Sequence, residues 1–485
     1  MEELLLILGV VTFLFALVSA RFDNSFITPP MVFAGAGVLI ALLFRNFVEE
    51  EFAKEALELV AELTLVIVLF IDASRINLPL LFREHKIPVR LLGISLPLTV
   101  LLGAVVAGFI FSEFSIWEAA LLAAILAPTD AALGQAVVSS PIVPVRIRQA
   151  LNVESGLNDG IVLPLVMLFA ALATVGEGAE QSNWMVYWLM QVTLGPLVGI
   201  VVGFGGGYLL RAATRRGLIN ENFLRLSGVA VALVAWAGAI QVGGNGFIAA
   251  FVGGMAISGF ANCIGEPLRD FGEAEGQLFG LATFLLFGMI ALVPAIETAD
   301  ANCYLYAALS LTVIRMLPTT LSLIGLKLKA STVLFLSWFG PRGLASLLFA
   351  LLVIGEFNLP HGEQILTISV LTVVFSMVAH GISAVPGARL YAAKIGKHQN
   401  PEDDPLEHKH SESHRDNSQC VRLGRHERCN PDRRRRVKIT SQVCLLRNDV
   451  NKRADVQKVY NCILVDVCFE LIVTIIKECD ERSDI

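Results

Sequence analysis

LNVESGLNDGIVLPLVMLFAALA, residues 151–173, decides how this chain is read. The last thirteen residues are apolar, yet Glu154, Asn158 and Asp159 stand directly before them with no basic residue among them. Glu154 and Asn158 are four residues apart, as are Ser155 and Asp159, so on a helix each pair shares a face. Either the carboxylates mark the mouth of a membrane helix or they lie inside it.

The rest of the chain answers in favour of a membrane. Of 485 residues, 55% are hydrophobic and 16% charged, and the mean hydropathy is +0.67. A soluble domain of that character would leave apolar surface in water, so the chain reads as an all-α polytopic membrane protein. The acidic start (Glu2, Glu3) of MEELLLILGVVTFLFALVSA argues against a signal peptide and for a first span.

Taking a span as about 20 mostly apolar residues, the sequence predicts thirteen: 3–20, 29–44, 55–71, 88–111, 116–139, 149–174, 185–210, 224–241, 246–262, 277–295, 302–326, 331–355 and 363–386. Loop charge orients them. Seventeen Lys/Arg residues fall in the loops after odd-numbered spans and at the start of the tail; the opposite loops hold only Arg45 and Lys54. The positive-inside rule then puts the N-terminus outside and the C-terminal tail in the cytoplasm. Two basic residues, Arg315 and Arg342, fall inside spans.

Span 6 begins near Arg148, and Asp159 lies eleven residues on. At 1.5 Å per residue that is about 16 Å deep, near the middle of a ~30 Å hydrocarbon core. A charge at that depth costs about 2.5–3.5 kcal/mol or more unless paired or wetted. A buried carboxylate is also driven towards its neutral form, which suits it to carrying protons. The structural alternative is a polar patch that glues helices together.

Two more spans are interrupted at their centres. LAAILAPTDAALGQAVV, 121–137, breaks at Pro128, followed by Thr129 and Asp130; LSWFGPRGLASLLF, 336–349, breaks at Gly340-Pro341-Arg342-Gly343. Proline removes a helical hydrogen bond and clashes with the preceding turn. In lipid the freed carbonyls must find protein, water or an ion. Spans 5 and 12 are an odd number apart, so they run in opposite directions, as expected of an inverted repeat with a midplane site between discontinuous helices. Arg342 brings positive charge to the second break. Arg315, mid-span 11, needs an acid; Glu154 is the expected partner, with Arg342 as the competing cation.

APTD (127–130), ESGLND (154–159) and GPRGL (340–344), in that order, resemble the NhaP-type sodium/proton antiporters, relatives of the animal Na⁺/H⁺ exchangers. The resemblance covers about residues 1–395, and the membrane domain is taken as 1–397. It implies an inverted repeat with two crossing broken helices and a homodimer. It implies Asp159 as the carboxylate that binds either cation or proton. Asp130, the Thr129 carbonyl and the Ser155 hydroxyl would complete a Na⁺ site. Asp72, in FIDAS (70–74), stands where the family often has a glutamate, one methylene longer. Asn158 would be the partner of Asp130 at the helix break, Glu154 the structural ion-pair acid, and Pro128 the breaker. The family's Asn-Asp pair goes with electroneutral one-for-one exchange.

The chemistry agrees with that implication. A hard monovalent cation seeks carboxylate, hydroxyl and carbonyl oxygens, by the logic that governs other hard cations. One carboxylate that holds H⁺ or Na⁺, but not both, makes exchange obligatory. The expected function is therefore monovalent cation/proton antiport, with Na⁺ first and K⁺ or Li⁺ as alternatives. No enzymatic activity, resident cofactor or nucleic-acid partner is expected; membrane lipid, a second copy and pH homeostasis are. The competing classes are a passive cation channel and a membrane hydrolase using Asp130 and Asp159. Broken helices at inverted positions favour alternating access over a pore, and no hydrolase motif is present.

Other features read as structural: His380 as a packed residue near the end of span 13, and FGGGY (204–208) as a close helix contact. The tail, 398–485, holds sixteen Lys/Arg residues, six of the eight cysteines and an RRRR run at 433–436. It is expected to be cytoplasmic and partly disordered, and no function is assigned to it.

Overall fold

A computed structural model describes residues 2–22, 27–43, 50–74, 86–130, 133–138, 140–174 and 182–395. They belong to the first compact unit, Met1–Glu407. The tail expected from 398, and the loop residues Arg45, Arg75 and Arg83, lie outside the described residues.

The described residues are helical, with no strand among them. In chain order the helices are α1 (Glu2–Val18), α2 (Pro29–Leu43), α3 (Glu50–Ser74), α4 (Lys86–Ile110), α5 (Ile116–Ile125), α6 (Gln135–Val138), α7 (Val145–Thr174), α8 (Ser182–Arg215), α9 (Glu221–Gln241), α10 (Gly246–Ser258), α11 (Ala261–Ile290), α12 (Leu292–Thr298), α13 (Ala301–Leu311), α14 (Val313–Ser322), α15 (Ala330–Trp338), α16 (Leu344–Glu356) and α17 (Gly362–Ile395).

Six of these elements are long and apolar enough to cross a bilayer: α4, α7, Leu189–Arg215 of α8, Asn222–Gln241 of α9, the α13–α14 stretch Ala301–Ser322, and Gly362–Lys394 of α17. A seventh arises if Gly276–Ile290 and Leu292–Thr298, bent by 42°, count as one span. The thirteen expected spans are not all met by that criterion. Part of the reason is that interruptions cut expected spans into pieces such as α5 and α16, of 10 and 13 residues; α2 and α10 are uninterrupted but only 15 and 13 residues long.

Side-chain caps start several helices. Ser115 and Glu118 form a reciprocal capping box on α5, with bonds of 3.1 and 2.9 Å. Asn220, Asn245 and Asp300 accept the N–H three residues on, opening α9, α10 and α13. Helices then approach through small residues. Gly195 and Gly199 of α8, one turn apart, lie where a Cβ would sit 2.8 Å from the Asn245 carbonyl and 2.5 Å from that of Ala249. Gly37 of α2 and Gly288 of α11 abut each other's helix backbones. Such contacts give membrane helices the dispersion and Cα–H contacts that lipid cannot outcompete. In the FGGGY run, a Cβ at Gly206 would lie 3.1 Å from Val231 and one at Gly207 2.4 Å from the Phe260 ring, the close contact expected there.

Outward faces carry Leu101, Val105 and Phe109 on α4 and Leu197, Val201 and Leu209 on α8. An apolar exterior of this kind suits hydrocarbon, where helices satisfy their own backbone. The interior is unlike it: Thr129, Glu154, Asn158, Asp159, Arg315, Arg342 and His380 are all buried.

Candidate functional site

Two interruptions meet. Helix α5 ends at Ile125 and helical geometry resumes at Gln135; α15 ends at Trp338 and α16 starts at Leu344. Across the gap the Asp130 N–H donates to the Pro341 carbonyl at 2.8 Å. The Leu344 N–H donates to Asp130 Oδ2, also at 2.8 Å. Asp130 thus supplies in trans what an N-cap supplies in cis: an acceptor for an orphan N–H, and negative charge at the positive end of a helix. Gly343 is the residue that lets it in, because a Cβ there would overlap the Asp130 carboxylate.

Helix α7 lines the other side of the first break. The Asn158 amide donates to Thr129 Oγ1 at 2.8 Å and reaches the Thr129 carbonyl at 3.4 Å. The Thr129 and Ser155 hydroxyls are 3.0 Å apart. The Asn158 amide thus meets the first break at Thr129, next to Asp130, whose carboxylate turns to the start of α16. Asp159 is one residue further along α7, 7% exposed, and Asp72 and Asp130 are the carboxylates whose charge acts on it. Asp72 is half-buried near the end of α3, whose backbone approaches α7 at Gly156, where a Cβ would lie 3.6 Å from the Asp72 carbonyl. Asp159 Oδ1 and Asn158 Oδ1 are buried and have no hydrogen-bonding partner among the described residues. Nor do three or more His, Cys, Asp or Glu side chains gather there closely enough to hold a metal ion.

The two intramembrane arginines divide their work. Arg315 Nη1 pairs with Glu154 Oε1 at 2.6 Å, both groups almost fully buried. Its guanidinium lies against Gly340, where a Cβ would come within 2.5 Å of Nε. Arg342, fully buried, points Nη1 at the carbonyls of Pro128 and Gly340, 3.4 Å from each. One cation therefore neutralises α7, and the other fills the carbonyls freed at the two breaks, Pro128 among them. Among the described residues around the breaks, the carboxyl groups Asp72, Asp130, Glu154 and Asp159 outnumber the buried guanidinium groups Arg315 and Arg342.

Several residues that the sequence did not single out support this arrangement. The Arg342 N–H donates to Ser376 Oγ at 2.6 Å, and Ser376 in turn meets His380. Thr319 bonds back to the Arg315 carbonyl at 2.9 Å and also meets Ser95 at 2.9 Å, where α4 takes one π-helical turn, Leu91–Ser95. Span 11 is itself interrupted at Thr312, three residues before Arg315. Proline at 341 announced the break at 339–343; no sequence signal announced that at Thr312.

Comparison with known proteins places the chain. The sequence model of the family Sodium/hydrogen exchanger, transmembrane, matches residues 9–389. The chain is 26% identical over 353 residues to the K(+)/H(+) antiporter NhaP of Alkalimonas amylolytica, covering 71% of this chain and 59% of that protein. It is 25% identical over 306 residues to the K(+)/H(+) antiporter NhaP2 of Shewanella oneidensis, covering 61% and 51%. It thus spans between half and three-fifths of these relatives' length. In fold it is similar to the sodium proton antiporter MjNhaP1 of Methanocaldococcus jannaschii, with a TM-score of 0.68 at 19% identity, over 81% of this chain and 98% of that one. The match of the family model across most of the chain, together with that fold, makes this a member of the sodium/hydrogen exchanger transmembrane family.

Proposed function

We propose that the chain exchanges a monovalent cation for a proton by alternating access, and that Asp159 is the group they compete for. The observation that carries this reading is the buried Asp159 carboxylate, with one oxygen unpartnered among the described residues and two further carboxylates acting on it. An excess of acid over guanidinium in a low-dielectric interior favours taking up one positive charge, whether H⁺ or metal cation. Thr129, Ser155 and Asp130 are the neighbouring oxygen donors, and Asp72 adds charge from α3. Asn158 cannot ionise, so one charge moves each way and the exchange is electroneutral. Glu154 and Arg315 hold α7 in place; Pro128 and Arg342 shape the breaks.

In this reading the membrane domain is 1–397, with thirteen spans arranged as inverted repeats. The broken spans 5 and 12 cross at the site, and one bundle moves against the other to change its access. The N-terminus lies outside and the tail in the cytoplasm, and the protein works in the membrane as a homodimer in cellular pH homeostasis. Sodium is the expected cation, as the family resemblance implies; the oxygen donors by themselves suit any hard monovalent cation. Potassium is the alternative, since the two curated relatives are named K(+)/H(+) antiporters.

The test is proton movement in everted vesicles energised to an acid interior, on adding Na⁺, Li⁺ or K⁺. Alkalinisation with one of the cations, abolished in Asp159→Asn at equal protein level, supports the exchanger and identifies its ion. Cation current that follows the membrane potential without proton movement would replace it by a channel.

A further inference from the structure

One face of α17 grips the second break. Ser376, His380, Ser383 and Gly387 recur at the spacing of a single helical face, and each meets the segment Trp338–Arg342. Ser376 Oγ accepts the Arg342 N–H at 2.6 Å. His380 Nε2 lies 2.9 Å from the Trp338 carbonyl. Ser383 Oγ accepts the Trp338 indole N–H at 2.9 Å. At Gly387 a Cβ would sit 2.7 Å from the Phe339 ring, so the missing side chain admits it.

The hydrogen-bond logic of the imidazole is constrained. A carbonyl only accepts, so Nε2 carries the hydrogen that satisfies Trp338, whose carbonyl lies at the C-terminal end of α15. Nδ1 lies 3.0 Å from the Ser376 carbonyl and 3.2 Å from Ser376 Oγ; with the hydrogen on Nε2 of a neutral ring, it can accept only from the hydroxyl. The hydroxyl can donate to it while receiving the Arg342 N–H. The segment 338–342 is thereby tied to α17 through two adjoining side chains, His380 at Trp338 and Ser376 at Arg342. The segment so held carries the Pro341 carbonyl that receives Asp130 N–H, and the guanidinium that faces Pro128.

We propose that Ser376 and His380 are positioning residues for transport, locking the second break to α17 so that Asp130 is presented in register to the cation. The inference rests on the exchange reading above. Its consequence is that α17 and the 339–343 segment move as one body in the transport cycle.

The experiment combines kinetics with amide exchange on the full chain. In reconstituted vesicles, Ser376→Ala and His380→Leu should raise the apparent cation KM by about tenfold, as expected for a buried hydrogen bond left unmade, with the maximal rate within about twofold. His380→Gln, whose amide can still donate to Trp338, should recover part of that rise. The double variant Ser376→Ala/His380→Leu should be no worse than the poorer single one, because the two residues form one chain. Independently of transport, hydrogen exchange in a peptide covering 339–344 should be faster in Ser376→Ala than in wild type. Unchanged KM in an active protein, fully additive effects, or unchanged exchange at 339–344 would overturn the proposal. A wild type that moves no protons would sink the exchange reading, and the exchange measurement would still decide whether the lock exists.

Discussion

The Glu154–Arg315 pair makes the sharpest demand on stability. Both side chains are nearly inaccessible and 2.6 Å apart. Arg315 Nε and Nη2 have no other hydrogen-bonding partner among the described residues. Glu154→Gln therefore leaves a guanidinium inside the bundle without its counter-charge. Removing one member of a buried pair costs about 3–5 kcal/mol. With an unfolding entropy of about 2.1 cal/mol/K per residue over roughly 400 residues, this lowers Tm by about 4–6 °C. Glu154→Gln combined with Arg315→Met removes both charges and should regain at least half of the loss, because a neutral, filled interior replaces an unbalanced one. Thermal unfolding of the purified variants in one detergent measures this. A double variant as unstable as the sum of its single changes would refute the idea that the two residues act as a pair. A Glu154→Gln protein as stable as wild type would refute the idea that the pair is needed at all.

Three further outcomes follow from the same geometry. Asp130→Asn keeps an oxygen for the Leu344 N–H but removes the charge, so it should fold normally while losing cation-driven proton flux; Asp130→Ala should also lose about 1 kcal/mol of stability, as for a missing cap. Gly343→Ala places a methyl on the Asp130 carboxylate and should abolish flux even where the protein is still inserted, as read by vesicle assay and immunoblot. At Asp300, outside the spans, hydrogen bonds from Cys303 hold the carboxyl below its ordinary pKa. A carboxylate lowered in the folded state stabilises above its unfolded pKa and stops doing so as pH falls through its folded value. Asp300→Ala should thus be less stable than wild type at pH 7, with the difference starting to shrink as pH falls below about 4.

Much of this was legible in the sequence because membranes make polar residues conspicuous. Asp159, Glu154, Arg315 and Arg342 stand out against apolar runs, and burial is the only position such runs leave for them. Pro128 and Pro341 announced where helices stop, since neither residue can donate the bond that continues one. What could not be read were the partners. Spacing fixes which residues share a helix face, but not which helix that face meets. Arg342 therefore remained a competitor to Arg315 for Glu154 in the sequence, and the structure shows Glu154 and Gly340 around Arg315. His380 was read as packing for the same reason: an imidazole on an apolar helix gives no sign of the carbonyl it satisfies. The interruption at Thr312 has no adjacent proline or glycine, so nothing local marked it, whereas the π-helical turn at Leu91–Ser95 contains Gly93 and precedes Pro97, whose missing N–H leaves a carbonyl one turn back unpaired.

The central claim is that one carboxylate takes either a cation or a proton. Titration calorimetry of the purified protein with Na⁺ and with K⁺, repeated in buffers of different ionisation enthalpy at a pH where binding is seen, counts protons released per cation bound. The account predicts one proton released per cation in wild type, and neither binding nor release in Asp159→Asn. Cation binding without proton release, or release that persists in Asp159→Asn, would contradict it.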